Sequence, residues 1–311
     1  MHIALAGEGL IDFTGSGGMA FQGHCGGSPL NVAVACARLG QPTAYLTQLS
    51  TDLFGEQLLQ HLQGNGVDTR YVTRSDAPST VAFVERGPQT NRYAFYSRGS
   101  ADSGWAPDPL PQLPESCRFL HFGSISLLQD PAASAISRLI AANAGERIIV
   151  FDPNVRLSLI DDLAAYRWRC EQWLRHTDLL KLSDEDVEAL APGVDHAAAA
   201  AIWLQAGVRA VVITRGGDGA TLYRQTQAPL HVAAPQVEVV DTIGAGDTFT
   251  AGLSVALLQQ GVSEAADLAT LPDAGWLQVM RCAAHAAALS CARAGANPPA
   301  LDQVQEALRQ A

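Results

Sequence analysis

The sequence predicts an α/β fold: a mainly parallel central sheet with helices on both faces, of the Rossmann-like kind. Three observations carry this. Strand-like and helix-like runs alternate through most of the 311 residues, and repeated strand–helix units build parallel sheets covered on both sides. The run Ile148-Ile149-Val150-Phe151 is apolar without alternation, as a strand buried on both faces must be. Hydrophobic content of 48% is enough for one large core.

Taken in order, β-type runs place strands at 2–13, 43–49, 118–123, 147–152, 178–182, 209–214 and 220–224. Helical spacing places helices at 28–39, 52–65, 131–144, 161–175, 196–207, 245–260, 276–292 and 300–310. One region departs from the alternation. Val81 and Phe83, then Tyr93 and Phe95, flank the polar turn Pro88-Gln89-Thr90-Asn91, which reads as an antiparallel hairpin. It is either an ordinary edge hairpin or, with the Gly-rich stretch 15–27, a small β flap that excludes water from a reaction. The expectation is one domain over 1–311 with a β lid from about 13–27 and 80–98. Pro- and Gly-rich segments at 104–114 and 192–193 read as connectors.

Composition removes several functions. A net charge of −11 argues against nucleic acid and against an anionic membrane surface as partners. Lys181 is the only lysine and follows Leu180, so a Gly-Lys-Ser/Thr phosphate loop is excluded. The six cysteines form no Cys-x-x-Cys pair, which leaves no zinc or redox motif. The chain opens on a strand-like run, Ile3 to Ala6, and no segment reaches membrane-spanning length, so a cytoplasmic location is expected. There is no His-Glu-x-x-His, no Gly-x-Ser-x-Gly, and no Gly-x-Gly-x-x-Gly after the first strand.

The most informative stretch is Asp241-Thr242-Ile243-Gly244-Ala245-Gly246-Asp247-Thr248-Phe249. The β-rich run Val237-Glu238-Val239-Val240 leads in and an apolar helix leads out. Glycines at a helix start let several unpaired N–H groups converge on one point, and such a tip attracts phosphate. Asp247 in the first turn either favours the helix dipole or accepts a hydroxyl proton while phosphate arrives. Phe249, Leu253, Ala256 and Leu257 follow at helical spacing and anchor the tip.

Other candidates carry two readings each. Asp12, after Gly7-Glu8-Gly9-Leu10-Ile11, forms a turn or accepts hydrogen bonds from sugar hydroxyls at a strand's carboxyl end. Gly26-Gly27-Ser28-Pro29-Leu30-Asn31 opens a helix with Ser28 as N-cap and Pro29 at the first position. The paired glycines and Asn31 are left over, and suit close approach to a ligand. Arg156, in Phe151-Asp152-Pro153-Asn154-Val155-Arg156, is a surface arginine or a holder of phosphate or carboxylate. Ser183 and Asp186 make an acidic capping box, or organise waters around Mg²⁺. Thr214-Arg215-Gly216-Gly217-Asp218-Gly219 is a Gly-rich turn that would also let a nucleotide lie against the backbone.

Together these segments resemble the ribokinase-like (PfkB) carbohydrate kinases, over essentially the whole chain. The signature Asp-Thr-x-Gly-Ala-Gly-Asp matches at Asp241 to Asp247. Within that family, Gly26 to Ala33 followed by Ala37-Arg38-Leu39-Gly40 looks most like bacterial fructokinases. The resemblance implies an ATP-dependent sugar kinase, a phosphotransferase with an alcohol acceptor. It makes Asp247 the base, with the N–H groups around Gly244, Ala245 and Gly246 as anion hole. It gives Asp12, Gly26, Gly27 and Asn31 to the sugar, and Thr214, Gly216 and Gly219 to ATP, with His285 and its helix against adenine. Carbonyls near Asp241, Ile243, Ser290 and Gly295 become candidates for a monovalent cation such as K⁺, and Mg²⁺ accompanies ATP. Ser183-x-x-Asp186 stands where the family commonly has Asn-x-x-Glu, and Pro299 where some relatives carry a hydroxyl near the cation. Asp152-Pro153-Asn154-x-Arg156 is also similar to 2-keto-3-deoxygluconate kinases, whose substrate carboxylate Arg98 or Arg156 would meet. A non-catalytic sugar-responsive protein on the same scaffold is the other class. An exposed β edge on the lid would allow a homodimer.

Overall fold

A computed structural model describes residues 1–85 and 92–310. The turn expected at Pro88 to Asn91 lies outside the described residues. The chain runs β1 (Ile3–Ala6), β2 (Leu10–Gly17), β3 (Ala20–Gly26), α1 (Ser28–Arg38), β4 (Thr43–Ser50), α2 (Leu53–Gly64), β5 (Val72–Ser75), β6 (Thr80–Glu85) and β7 (Arg92–Tyr96). It continues through β8 (Phe119–Gly123), α3 (Ala132–Asn143), β9 (Ile148–Asp152), α4 (Leu163–Leu174), β10 (Leu179–Ser183), α5 (Asp184–Leu190), α6 (His196–Gln205), β11 (Ala210–Thr214), β12 (Ala220–Arg224) and β13 (Leu230–Val232). Four helices close it: α7 (Ala245–Gln259), α8 (Ala265–Thr270), α9 (Asp273–Cys291) and α10 (Leu301–Gln310).

Nine strands form one sheet in the order β13-β12-β11-β10-β9-β8-β1-β4-β5. It is parallel from β11 to β5, and the β11–β12 and β12–β13 pairs are antiparallel. A separate four-stranded sheet has the order β3-β2-β6-β7.

Alternation along each strand sorts side chains to two cores. Leu5, Val150, Leu179 and Val212 face the layer that contains α1, α7 and α9. Leu120, Phe151, Leu180 and Leu182 face the layer of α3, α4 and α6. The period of two therefore sends Lys181 and Ser183 of β10 to the same side as Leu179, under the tip of α7. Helix α7 buries Phe249, Leu253, Val255 and Leu257 between α1 and α9. Each such side chain contributes about 1.5–3 kcal/mol on burial, so the helix is held along its length and its first turn is fixed in place.

Three expectations are corrected. The strand expected over 2–13 is two, β1 in the large sheet and β2 in the small one. Between them the chain passes close to helix α1, where only glycine fits: a Cβ at position 7 would fall 2.4 Å from the Pro29 ring and one at position 9 would fall 3.0 Å from Leu30. The run Val237 to Val240 is not a strand: it has no sheet partner among the described residues, Val239 and Val240 are exposed, and the Val240 and Asp241 amides both donate to the Cys291 carbonyl. Short elements α5, α8, β5 and β13 were not anticipated. The first two begin at acidic capping boxes, Ser183/Asp186 and Glu264/Asp267. The six cysteines are unpaired, and no helix among the described residues is long and apolar enough to cross a membrane.

Candidate active site

Two cavities meet at the start of α7. One, of about 540 Å³, is lined by Asp12, Gly27, Ser28, Asn31, Arg156, Lys181, Ser183, Asp186, Gly244 and Asp247, among others. The other, of about 260 Å³, is lined by Thr214, Gly216, Gly219, Val237, Ala245, Phe249, Ala284, Ala287 and Ala288. Thr242 and Gly246 line both, so the glycine turn is the seam between them.

Gly244 caps α7 in the left-handed conformation, φ 74°, which a side chain would strain. A Cβ there would also fall 2.7 Å from Ala296. This turn aims the first amides of α7 outward; those of Gly246 and Asp247 meet no protein acceptor among the described residues. Asp247 is 8% exposed. Ser28 Oγ donates to its Oδ1 at 2.6 Å, and Asn31 Nδ2 donates to its Oδ2 at 2.8 Å. Burial raises its pKa above the ordinary carboxylate value, against the pull of those two donors; Asp152 adds to the rise and Lys181 opposes it. A carboxylate oriented by two donors, close to an open amide cradle, can accept a proton from an alcohol held between them.

Gly27 caps α1 with φ 103°, and a Cβ there would lie 2.6 Å from the Glu8 carbonyl. The expected N-cap, Ser28, is instead the first residue of α1, and its hydroxyl is spent on Asp247. Asn31 likewise gives a donor to Asp247, which leaves its second N–H and its oxygen for a ligand. Asp12 reaches the cleft from the small sheet, on β2 beside His24 and Ala82. Burial pushes its pKa up to about 6; Arg156 pulls down and Asp247 pushes up. Gly26 lies directly behind it: a Cβ there would fall 2.2 Å from Asp12 Oδ2.

Ser183 and Asp186 line the cleft, and their capping box is complete. Asp186 Oδ2 accepts from the Ser183 amide and hydroxyl, each at 2.8 Å, and Oδ1 accepts from the Val155 amide at 2.7 Å. Asp186 thus ties the loop carrying Arg156 to the start of α5. On the cation side, Asp241 Oδ1 accepts from the Ile243 amide and Oδ2 from the Gly295 amide, both at 3.1 Å. That clasp gathers the segments of Asp241, Ile243 and Gly295. Ser290 Oγ, fully buried on α9, has no hydrogen-bond partner among the described residues, an orphaned oxygen of the kind a cation site would use.

Two expected site residues stand elsewhere. Arg98 lies outside the cleft, 90% exposed at its side chain, 3.7 Å from exposed Asp161. It follows the last strand of the small sheet, which directs it to the outer groove. His285 does not line the nucleotide-side groove; Ala284, Ala287, Ala288 and Cys291 do. These lie on one face at 0, 3, 4 and 7 positions, and residue 285 is turned about 100° away. Its Nδ1 contacts the Arg281 carbonyl at 2.8 Å.

Three residues were not read as site residues in the sequence. Ser28 carried an N-cap reading that masked its long-range contact. Glu8, buried in the cleft floor, accepts from the Ser28 and Ser126 amides at 3.3 and 3.1 Å, and burial lifts its pKa to about 7. Lys181 lines the cleft while paired with Asp152 at 2.9 Å. Its solitary status among lysines, in a buried strand, was the available signal.

The model of the pfkB family carbohydrate kinases matches residues 11–303. The chain belongs to this family. This pfkB-family kinase is 38% identical over 275 residues to a fructokinase of Rhizobium leguminosarum bv. trifolii, covering 87% of the chain and 84% of the relative. It is 33% identical over 318 residues to a fructokinase of Solanum tuberosum, covering 97% and 93%. Among solved structures, a fructokinase from Xylella fastidiosa with bound ATP superposes with a TM-score of 0.88 at 28% identity, covering 99% of this chain and 98% of that one. The kinase has the ribokinase-like fold expected from its sequence. It is an ATP-dependent phosphotransferase acting on a sugar hydroxyl.

Proposed function

We propose that this kinase transfers the γ-phosphate of ATP to fructose, with the sugar in the larger cavity and the nucleotide in the smaller. The single observation that carries this arrangement is the placement of Asp247, oriented by Ser28 and Asn31, at the seam where the two cavities share Gly246. The fructokinase names of the relatives support the choice of sugar.

Asp12 and the free valences of Asn31 hold sugar hydroxyls, with Gly26 and Gly27 allowing the close approach. Arg156 favours the ionised form of Asp12 against the effect of burial. The acceptor oxygen gives its proton to Asp247 as it bonds to phosphorus, and the amides of Gly244, Gly246 and Asp247 take up charge on the transferring group; the Ala245 amide expected there is spent on the Thr242 carbonyl at 3.2 Å. Positioning and charge stabilisation supply most of the rate. Thr214, Gly216 and Gly219 line the nucleotide groove, whose far wall is the alanine face of α9. Mg²⁺ would arrive with ATP and neutralise phosphate charge; Ser183 and Asp186 are placed to meet its waters, although both Asp186 oxygens already serve protein donors. K⁺ would take carbonyls near Asp241, Ile243, Ser290 and Gly295 and stiffen the glycine turn, and the orphaned Ser290 hydroxyl fits that reading.

The four-stranded sheet acts as the lid of a single domain over 1–311. Met19, Phe21 and Tyr96 are exposed on it, which supports pairing with a second copy through this sheet. Unpaired cysteines suit a reducing cytoplasm, and the net charge of −11 suits a kinase without nucleic-acid or membrane partners.

One observation keeps a second substrate in the test. Arg156 faces the cleft, where it would pair with the carboxylate of 2-keto-3-deoxygluconate. ADP release with Mg-ATP, compared by kcat/KM over fructose, 2-keto-3-deoxygluconate, ribose, fructose phosphates and nucleosides, decides between them. Fructose should rank first. A higher rank for the sugar acid would transfer the assignment to it, and no turnover with any sugar would favour a non-catalytic sugar-responsive protein.

A further inference from the structure

We propose that Lys181, the sole lysine of the sequence, is the cation of the anion hole: its buried ammonium reaches the transferring phosphoryl group beside Gly246 and stabilises the charge that builds there. The inference rests on the phosphoryl-transfer reading above and adds a component to it.

The seam between the cavities carries little positive charge. Among the described residues, no charged side chain lines the nucleotide-side groove. The larger cavity is lined by five carboxylates, Glu8, Asp12, Glu185, Asp186 and Asp247, and by two cations, Arg156 and Lys181. Arg156 is placed beside Asp12, at the sugar end. A phosphate entering this field, in a protein of net charge −11, needs a cation of its own at the turn.

Lys181 is the group in that position. A Cβ built on Gly246 would lie 3.2 Å from its Nζ, so the ammonium sits against the very glycine that both cavities share. Its base is fixed from behind. Asp152 Oδ2 accepts from Nζ at 2.9 Å and from Thr250 Oγ1 at 2.9 Å, and Thr250 Oγ1 in turn lies 3.0 Å from the Gly246 carbonyl. An ammonium has three donors. Asp152 takes one, and the other two meet no protein acceptor among the described residues.

Stability alone is a weak reason for such a pair. Removing two charges from water is expensive, and apolar replacements are often as stable. In the transfer step the sugar oxygen bonds to the γ-phosphorus, the bridging P–O bond breaks, ADP leaves, and the hydroxyl proton goes to Asp247. Lys181 keeps its protons throughout and acts by charge and hydrogen bonding.

The test is made on the full chain. Lys181→Met alone would strand buried Asp152, so it is combined with Asp152→Asn, which retains an acceptor for Thr250. The double variant should fold, by circular dichroism, and lose roughly 10²- to 10³-fold in kcat while KM for fructose and Kd for ADP move less than about threefold. A second readout uses the wild-type protein. Biosynthetic ¹⁵Nζ-lysine labelling gives one side-chain ammonium signal, which should shift when ADP, fructose and aluminium fluoride are present together and much less with ADP alone. A folded double variant with kcat within about threefold of wild type would overturn the proposal. So would a lysine signal indifferent to the aluminium fluoride complex, which also decides the matter if the double variant does not fold. Absence of sugar phosphorylation by the wild-type protein would instead overturn the functional reading.

Discussion

Ser28 and Asp247 stand 219 positions apart in the sequence and meet at 2.6 Å, hydroxyl to carboxylate. The contact joins the first residue of α1 to the first turn of α7, so two helix tips define one point in space. These tips set the amides of the glycine turn and the Asn31 amide around that point, and β10 brings the Lys181 ammonium up against Gly246.

The hydroxyl of Ser28 stabilises the ionised form of Asp247. Its loss in Ser28→Ala therefore favours the protonated acid, and the carboxylate is protonated at a lower proton concentration than before. The acidic limb of the kcat/KM profile against pH should move to higher pH in this variant, with the fold retained. A limb in the wild-type position would separate the observed ionisation from Asp247.

Asp12 has its pKa pushed up to about 6, chiefly by burial, with Arg156 opposing the rise. Protonation removes an acceptor for sugar hydroxyls, so KM for fructose should increase as pH falls through about 6. Arg156→Gln removes the opposing charge and should raise KM at pH 7 by about tenfold, with the rise beginning at higher pH. Arg98→Ala should leave KM and kcat within about twofold, because exposed substitutions away from the site have small effects. Steady-state kinetics from pH 5 to 8 check all three.

Glu8 is raised from 4.5 to about 7 by burial, against the hydrogen bonds it receives. A carboxyl whose folded pKa lies above its unfolded one contributes stability at low pH, and that contribution is lost as pH rises through the folded value. Glu8→Gln removes this linkage while giving up one of two backbone acceptors. The stability difference between variant and wild type, from urea unfolding, should therefore move in the variant's favour between pH 4.5 and 8. A constant difference would show that Glu8 does not titrate in this window.

Much of the architecture is legible in the sequence because it is local. The apolar run at 148–151, the helical spacing after Gly244 and the capping residues at 183 and 186 each report a period or a turn. The departures have a common cause in tertiary contact. The single strand expected over 2–13 ignores Pro29, which no local pattern brings near Gly7. The β-type run at 237–240 finds no strand to pair with and lies exposed against the end of α9. The placement of Arg98 depends on which way the small sheet faces, and that of His285 on the rotation of α9 about its axis. Lys181 was legible as a rarity, but its surroundings depend on Asp152, Thr250 and Gly246, which two separate segments, β9 and α7, supply.

The most direct measurement is the turnover of Asp247→Asn with saturating fructose and Mg-ATP, alongside ATP affinity measured by calorimetry. The substitution keeps the volume and the contacts to Ser28 and Asn31 within reach, and removes the proton acceptor. The account predicts a fall in kcat of roughly 10²-fold or more, with ATP affinity largely unchanged. Turnover equal to wild type would contradict it.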